Sequence, residues 1–141
     1  MKTALLDASA MVALFRASDV GHAHYRALLD SQAPQYQQYQ LHSTWPCVTE
    51  ASHLLKGRDR LLLLRWIGHG AVQLFPLDAA ELLELVPLME RYSEPPRSVM
   101  DLADASLYWL AQETGTTVVM TLDVRDFSRY RLPDGRSFEI L

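Results

Sequence analysis

Four acidic residues lie beside apolar runs at well-separated places in the chain: Asp7, Glu50, Asp104 and Asp123. A carboxylate next to the core of a strand or helix tends to lie at the edge of a buried layer, where an unpaired charge is costly. Four such groups would repel one another if they converged, unless a hard cation neutralised them. Carboxylate oxygens favour Mg²⁺ or Mn²⁺ as that cation. The sequence therefore predicts a divalent-metal site, provided that the fold brings the four together.

Each acidic residue taken alone also has a simpler explanation. Asp7 can cap a helix, and Glu50 in the first turn of a helix is favoured by the helix dipole. Asp101 and Asp104 are three residues apart on one helical face, where both suit the same dipole. Asp123 can be a turn residue. A shared metal site nevertheless explains all four acidic residues at once. One or two ions held by these carboxylates could bind a substrate phosphate and activate water.

Short strand-like runs alternate with longer helical patterns along the chain. The pattern predicts strands over 3–6, 41–45, 71–77, 117–121 and 137–141. Two short helices follow the first strand, and longer helices are predicted over 47–56, 59–67, 79–92 and 101–113. This alternation predicts a three-layer α/β/α sandwich with a mainly parallel central sheet and right-handed crossovers. The active crevice of such a sheet lies beyond the carboxyl ends of its strands. Asp7 and Asp123 each follow a strand, and Glu50 and Asp104 lie near helix starts, so all four can reach that edge.

Local signals refine these boundaries. Ser9 is a candidate N-cap of the first helix, and Asp78 is a candidate N-cap of the helix over 79–92. Pro87 predicts a kink or a break in that helix, because proline removes a backbone donor. The glutamine-rich stretch 33–40 is expected to be a loop or an extended helix end.

Composition limits the class of protein. With 141 residues, 49% of them hydrophobic and 21% charged, the chain is expected to form one globular domain over 1–141. Cys47 is the only cysteine, which excludes an intrachain disulfide and a zinc site built on cysteines. The chain has no run of 18 apolar residues, and its N-terminus reads as a strand rather than a signal peptide. We therefore expect a soluble, cytoplasmic protein with no membrane association.

The charge pattern bears on nucleic-acid binding. A net charge of −4 argues against a generally basic surface. Of 13 basic residues all but two are arginines, whose planar guanidinium suits phosphate recognition. The candidate phosphate contacts are Arg58, Arg60, Arg125 and Arg129. For any single one of them, ordinary solvated surface charge is the simpler explanation.

The acidic motifs, taken in order, resemble those of the PIN-domain family. They are Leu5-Leu6-Asp7-Ala8-Ser9, Thr49-Glu50, Asp101-Leu102-Ala103-Asp104-Ala105 and Thr121-Leu122-Asp123-x-x-Asp126-Phe127. Each motif alone is weak, but four in this order and spacing are more specific, and the likeness covers about residues 4–130. Within the family the chain resembles the VapC-like ribonuclease toxins of bacterial toxin–antitoxin systems.

The resemblance implies a parallel α/β/α sandwich, Mg²⁺- or Mn²⁺-dependent endoribonuclease activity on RNA, and commonly a homodimer. It makes Asp7 and Asp104 the principal metal ligands, with Glu50 and Asp123 completing the acidic quartet. Ser9 and Thr121 match small hydroxyl positions that could orient carboxylates or water. Asp101 and Asp126 are optional further acids. A toxin of this kind implies a small antitoxin partner, although some family members have no toxin role.

Two other classes of function stay open at this level. A phosphatase or another phosphotransfer domain on a doubly wound fold could use Asp7 as nucleophile, but the acid usually expected two residues later is Ser9 here. A receiver domain would need a lysine after a late strand, and the C-terminal half has none. A non-catalytic binding module with a vestigial acidic site is the third possibility.

Overall fold

A single five-stranded parallel sheet forms the centre of the computed structural model, which describes residues 2–30 and 39–141. The strands are β1 (Lys2–Leu6), β2 (Tyr39–Thr44), β3 (Val72–Phe75), β4 (Val118–Met120) and β5 (Glu139–Ile140). Their order across the sheet is β3-β2-β1-β4-β5, and every neighbouring pair is parallel. All five predicted strands are therefore present, although β3, β4 and β5 are shorter than the sequence patterns that predicted them.

Within the described ranges, seven helices surround the sheet: α1 (Ala8–Phe15), α2 (His22–Leu29), α3 (Trp45–Leu54), α4 (Gly57–Gly68), α5 (Leu82–Arg91), α6 (Leu102–Thr114) and α7 (Val124–Arg129). The chain moves from β1 to β3 in one direction and from β3 to β5 in the other. Right-handed crossovers therefore place α1–α4 on one face and α5–α7 on the opposite face. Accordingly, α1 contacts α2, α3 and α4, whereas α5 contacts α6. The predicted three-layer sandwich is confirmed.

The core is centred on β1, which lies in the middle of the sheet and is covered on both faces. Ala4, Leu5 and Leu6 are completely buried, as expected for an apolar strand without alternation. On the second face α6 is buried from Ala103 to Ala111, well beyond a single apolar stripe. Small residues along this helix allow it to lie close to the sheet.

Helices α3 and α6 belong to opposite faces but meet over the carboxyl end of β2. The Thr44 hydroxyl lies 2.6 Å from the Ser106 hydroxyl, and the Cys47 thiol donates to the Ala103 carbonyl at 3.6 Å. Because these contacts are buried, they fix the start of α3 against the start of α6. The two helices that carry Glu50 and Asp104 are therefore held together at this edge.

Several local predictions were wrong in detail. Ser9 lies inside α1, and the N-cap position belongs to Asp7, whose side chain makes no capping bond. Since α3 begins at Trp45, Glu50 lies in its second turn rather than its first.

The region around the fifth helix also differs from expectation. Asp78 precedes a short 3₁₀ turn, Ala79–Glu81, and makes no side-chain capping bond. Helix α5 continues through Pro87 without a break. The carbonyl that loses its donor there belongs to Leu83, which is 81% exposed and can be hydrated instead. Of the stretch 33–40, residues 33–38 lie outside the described part, and the last two residues begin β2. None of the described helices is long and apolar enough to cross a membrane.

Candidate metal centre

Three of the four predicted carboxylates converge at the carboxyl edge of the sheet. Asp7, Asp104 and Asp123 each offer an oxygen, and these three atoms lie within 4.8 Å of one another. Asp7 directly follows β1, and its amide donates to the Met120 carbonyl at 3.1 Å, so the site begins where two adjacent strands end. Asp104 reaches the same point from the first turn of α6, and Asp123 from the segment just after β4.

Two hydroxyl groups hold the carboxylate of Asp7. Thr121 and Ser9 both donate to its Oδ2 atom, at 2.7 and 2.8 Å. The hydroxyl of Thr121 also accepts the backbone amide of Asp123 at 3.0 Å, and that of Ser9 accepts the amide of Leu122 at 2.9 Å. These bonds tie Asp7 to the loop that carries Asp123. Ser9 and Thr121 therefore occupy positions that orient the acidic group.

Asp104 is held by a residue that the sequence did not point to. The hydroxyl of Tyr130 donates to Asp104 Oδ2 at 2.7 Å, and Tyr130 is completely buried. A buried tyrosine must find a partner for its hydroxyl, but only the tertiary fold shows which one. On the other side, the carboxylate of Asp101 caps α6 by accepting the amide of Asp104 at 2.9 Å. Asp101 thus fixes the backbone of a site residue and is itself exposed.

Glu50 lies near this group but is not part of it. Its half-buried side chain extends from the second turn of α3. Burial is the main cause that raises the pKa of Glu50 to about 7, and the charges of Asp101, Asp7 and Asp123 add to it. The compact cluster consists of three carboxylates, and Glu50 interacts with it through charge from the second turn of α3.

The electrostatics of the site favour binding of a cation. Burial is the main cause that raises the pKa of Asp7 to about 6 and that of Asp104 to about 8; the neighbouring carboxylates contribute to both increases, and the hydroxyl donors oppose them. The pKa of Asp123 is raised by burial and by Asp126 and Asp101. Among the described residues, no arginine or lysine forms an ion pair with Asp7, Asp104, Asp123 or Glu50. Clustered, partly desolvated carboxylates without a counter-charge fit a hard divalent ion.

The predicted phosphate contacts are not brought to one place. Helix α3 starts at the carboxyl edge and is ten residues long, or about 15 Å. Arg58 and Arg60 follow its far end, remote from the site. The guanidinium of Arg60 donates to the carbonyls of Ser52 and Leu55, at 2.7 and 3.0 Å, so it caps a helix end.

The arginines of α7 lie closer to the carboxylates. Arg129 forms an ion pair with Asp126 at 3.4 Å and donates to the Tyr92 carbonyl at 3.3 Å. The charged groups of Arg129 and Asp126 therefore already have partners within the protein. Arg125 is exposed, two residues from Asp123, and forms no hydrogen bond or ion pair within the described residues. It is the one predicted arginine that combines nearness to the site with a side chain available for phosphate.

Phosphotransfer through an aspartyl nucleophile is not favoured by this geometry. Ser9 stands where the second acid of a phosphatase would lie, and its hydroxyl donates to Asp7 instead of supplying a proton-transfer carboxylate. Asp7 is also only 2% exposed, which suits a fixed ligand better than an attacking group.

Comparison with known proteins places this geometry in context. Residues 4–132 match the PIN domain. Over 141 aligned residues the chain is 29% identical to ribonuclease VapC26 of Mycobacterium tuberculosis, and the alignment covers 97% of this chain and 98% of that protein. The crystal structure of VapC20 of Mycobacterium tuberculosis, described as a toxin that cleaves the sarcin–ricin loop, superposes with a TM-score of 0.70. The match has 16% sequence identity and covers 86% of this chain and 91% of that one.

Proposed function

Because the chain belongs to the PIN-domain family, we propose that it is a metal-dependent endoribonuclease and the toxin of a type II toxin–antitoxin pair. The observation that carries the proposal is the convergence of Asp7, Asp104 and Asp123 within 4.8 Å, without a basic partner. The 29% identity to a ribonuclease over nearly the whole chain supports RNA as the substrate. We propose that the protein acts on this RNA in the cytoplasm.

In this proposal Asp7, Asp104 and Asp123 hold Mg²⁺ or Mn²⁺, and the other polar groups act around them. The ion, when bound, supplies positive charge that neutralises the scissile phosphate and lowers the pKa of an attacking water. Glu50, with its pKa near neutrality, accepts the proton of that water. Ser9 and Thr121 keep Asp7 oriented. Hydrolysis then forms a phosphorus–oxygen bond to water and breaks the bond to the leaving ribose oxygen.

The direct test is cleavage of total RNA by the purified protein with Mg²⁺, with Mn²⁺ and with EDTA, followed by mapping of the RNA ends. Asp104→Asn should abolish cleavage, since it removes a ligand charge and keeps the shape. Asp30→Asn, which changes an exposed aspartate, should cleave like the wild type. Undiminished Mg²⁺-dependent cleavage by both Asp104→Asn and Asp7→Asn would contradict the site assignment.

We propose that the antitoxin binds an apolar groove bounded by α1, α2 and α4, with a volume of about 580 Å³. Phe15 and Trp66 form its apolar wall, with ring centroids 5.3 Å apart, and Arg26 and Arg65 lie at its rim. This chemistry suits an amphipathic helix with acidic residues at its edges. Co-purification with the product of a short adjacent reading frame should be lost in Trp66→Ala and kept in an exposed control, Leu83→Ala.

We also propose a homodimer through an apolar patch beside the site. Trp45 is 57% exposed and Leu102 is 41% exposed, and two adjoining grooves share both residues with Pro46. Contiguous apolar surface of this kind usually marks an interface. Light scattering should give a dimer for the wild type and a monomer for Leu102→Asp. A control on α4, Leu61→Asp, changes a leucine that is 60% exposed and should stay dimeric; a dimeric Leu102→Asp would exclude this patch.

A further inference from the structure

Tyr130 stands out among the groups around the carboxylates because it is the only described side chain that donates to the carboxylate of Asp104. Asp7 receives two hydroxyl donors, from Ser9 and Thr121. Asp104 receives one, at 2.7 Å, from a phenol with no exposed surface. A carboxylate on a helix otherwise has several accessible rotamers, so this one bond carries much of its orientation.

The ring of Tyr130 cannot move aside easily. It packs edge-on against Phe127 and Tyr92, with centroid distances of 5.1 and 5.0 Å. Phe127 in turn packs perpendicular to Phe138 at 5.3 Å. This aromatic group fills the space under α7, and the tyrosine hydroxyl points out of it toward α6. The donor is therefore held in place before any ion arrives.

The position of Tyr130 in the chain links two parts of the site. Asp123 immediately precedes α7 and Tyr130 immediately follows it, so both ends of one six-residue helix contribute to the acidic cluster. Phe127, which lies between them, is also completely buried. The bond from Tyr130 to Asp104 thus sets the distance between α6 and the segment that carries Asp123.

We propose that Tyr130 is a positioning residue for metal binding, which orients Asp104 and holds it in register with Asp123. This inference rests on the metal site proposed above. The phenol donates a hydrogen bond to the carboxylate of Asp104 and is not itself proposed as a metal ligand. Its loss should therefore weaken metal binding, while saturating metal should restore most of the cleavage rate.

The test compares Tyr130→Phe with Tyr108→Phe by calorimetric titration of Mn²⁺ into the metal-free protein. Tyr108 is a buried tyrosine on α6 whose hydroxyl donates to the Arg131 backbone carbonyl and not to a carboxylate. Tyr130→Phe should bind Mn²⁺ about 10-fold more weakly, with a matching rise in the Mn²⁺ concentration for half-maximal cleavage and a nearly unchanged maximal rate. Tyr108→Phe should bind as the wild type does.

Circular dichroism checks that each variant is folded. If Tyr130→Phe is partly unfolded, the titration is repeated for all three proteins in trimethylamine N-oxide, which favours the folded state. Wild-type Mn²⁺ affinity in folded Tyr130→Phe, or equal weakening in Tyr108→Phe, would overturn the inference and leave the proposed function intact. A wild-type protein that binds no Mn²⁺ would overturn both.

Discussion

Replacement of Asp7 by asparagine should remove activity and at the same time stabilise the metal-free protein. Asp7 is 2% exposed, and burial raises its pKa from 3.8 to about 6. The folded state therefore binds more protons than the unfolded state between these values, so stability is lost as the pH rises through this window. Above pH 6 the ionised Asp7 remains as a constant penalty, which the neutral amide of asparagine does not carry.

The size of the effect follows from the shift. At about 1.4 kcal/mol for each unit of pKa, the penalty at pH 8 is about 3 kcal/mol. The shift already includes the bonds from Thr121 and Ser9, but the side-chain amide of asparagine places an NH₂ group where the carboxylate has an oxygen, and a buried donor without a partner there costs about 1 kcal/mol. A net gain of about 2 kcal/mol corresponds to a melting temperature about 6 °C higher for a chain of this size. At pH 4 the gain should fall below about 1 kcal/mol, since Asp7 is then protonated in the folded wild type.

Thermal and urea unfolding in EDTA at pH 4 and pH 8 measure this difference directly. Asp30→Asn, at an exposed position, provides the matched control and should change the melting temperature by less than about 2 °C. Mn²⁺ at pH 8 should stabilise the wild type and leave Asp7→Asn unchanged. If Asp7→Asn proves less stable than the wild type at pH 8 without metal, the ionised carboxylate of Asp7 does not destabilise the folded protein, and its burial does not have the expected cost.

Three further predictions concern the same edge of the sheet. The metal-free wild type should lose stability between pH 4 and pH 8, because the pKa values of Asp7, Glu50 and Asp104 are raised in the folded state. Mn²⁺ at 100 times its Kd should return about 2.7 kcal/mol of stability at pH 8. A free energy of unfolding in urea that does not change with pH would contradict the first of these expectations. Thr121→Val should weaken Mn²⁺ binding about 10- to 100-fold by calorimetry, because Asp7 loses a donor and the Asp123 amide loses its acceptor; unchanged affinity would show that this hydroxyl is dispensable. Arg125→Ala should weaken binding of a non-cleaved RNA and reduce the salt slope by about 1, whereas Arg58→Ala, beyond the far end of α3, should not; equal effects would remove Arg125 as a specific phosphate contact.

The order of elements could be predicted from the sequence because it depends on local patterns. Apolar runs alternate between strand and helix periods, and right-handed crossovers allow few arrangements of such units. Boundaries were less accurate where two local signals compete. Pro87 lacks a donor, yet α5 passes through it, since Leu83, whose carbonyl loses that donor, is 81% exposed and can be hydrated. Ser9 resembles a helix cap, yet its hydroxyl is used by Asp7.

By itself, the sequence determined which acids could form a site: an aspartate directly after each of two strand patterns, and others near helix starts, are features of local chain order. Only the tertiary structure decided how they meet. It brought Asp7, Asp104 and Asp123 within 4.8 Å and kept Glu50 outside that group. In the folded protein Arg60 donates to carbonyls at the end of a helix, and Tyr130 donates to Asp104. The physical reason is the sequence separation over which each interaction acts. Capping and periodicity act over a few residues. A phenol and a carboxylate that are 26 residues apart become hydrogen-bond partners only when packing buries them side by side, where each needs a partner.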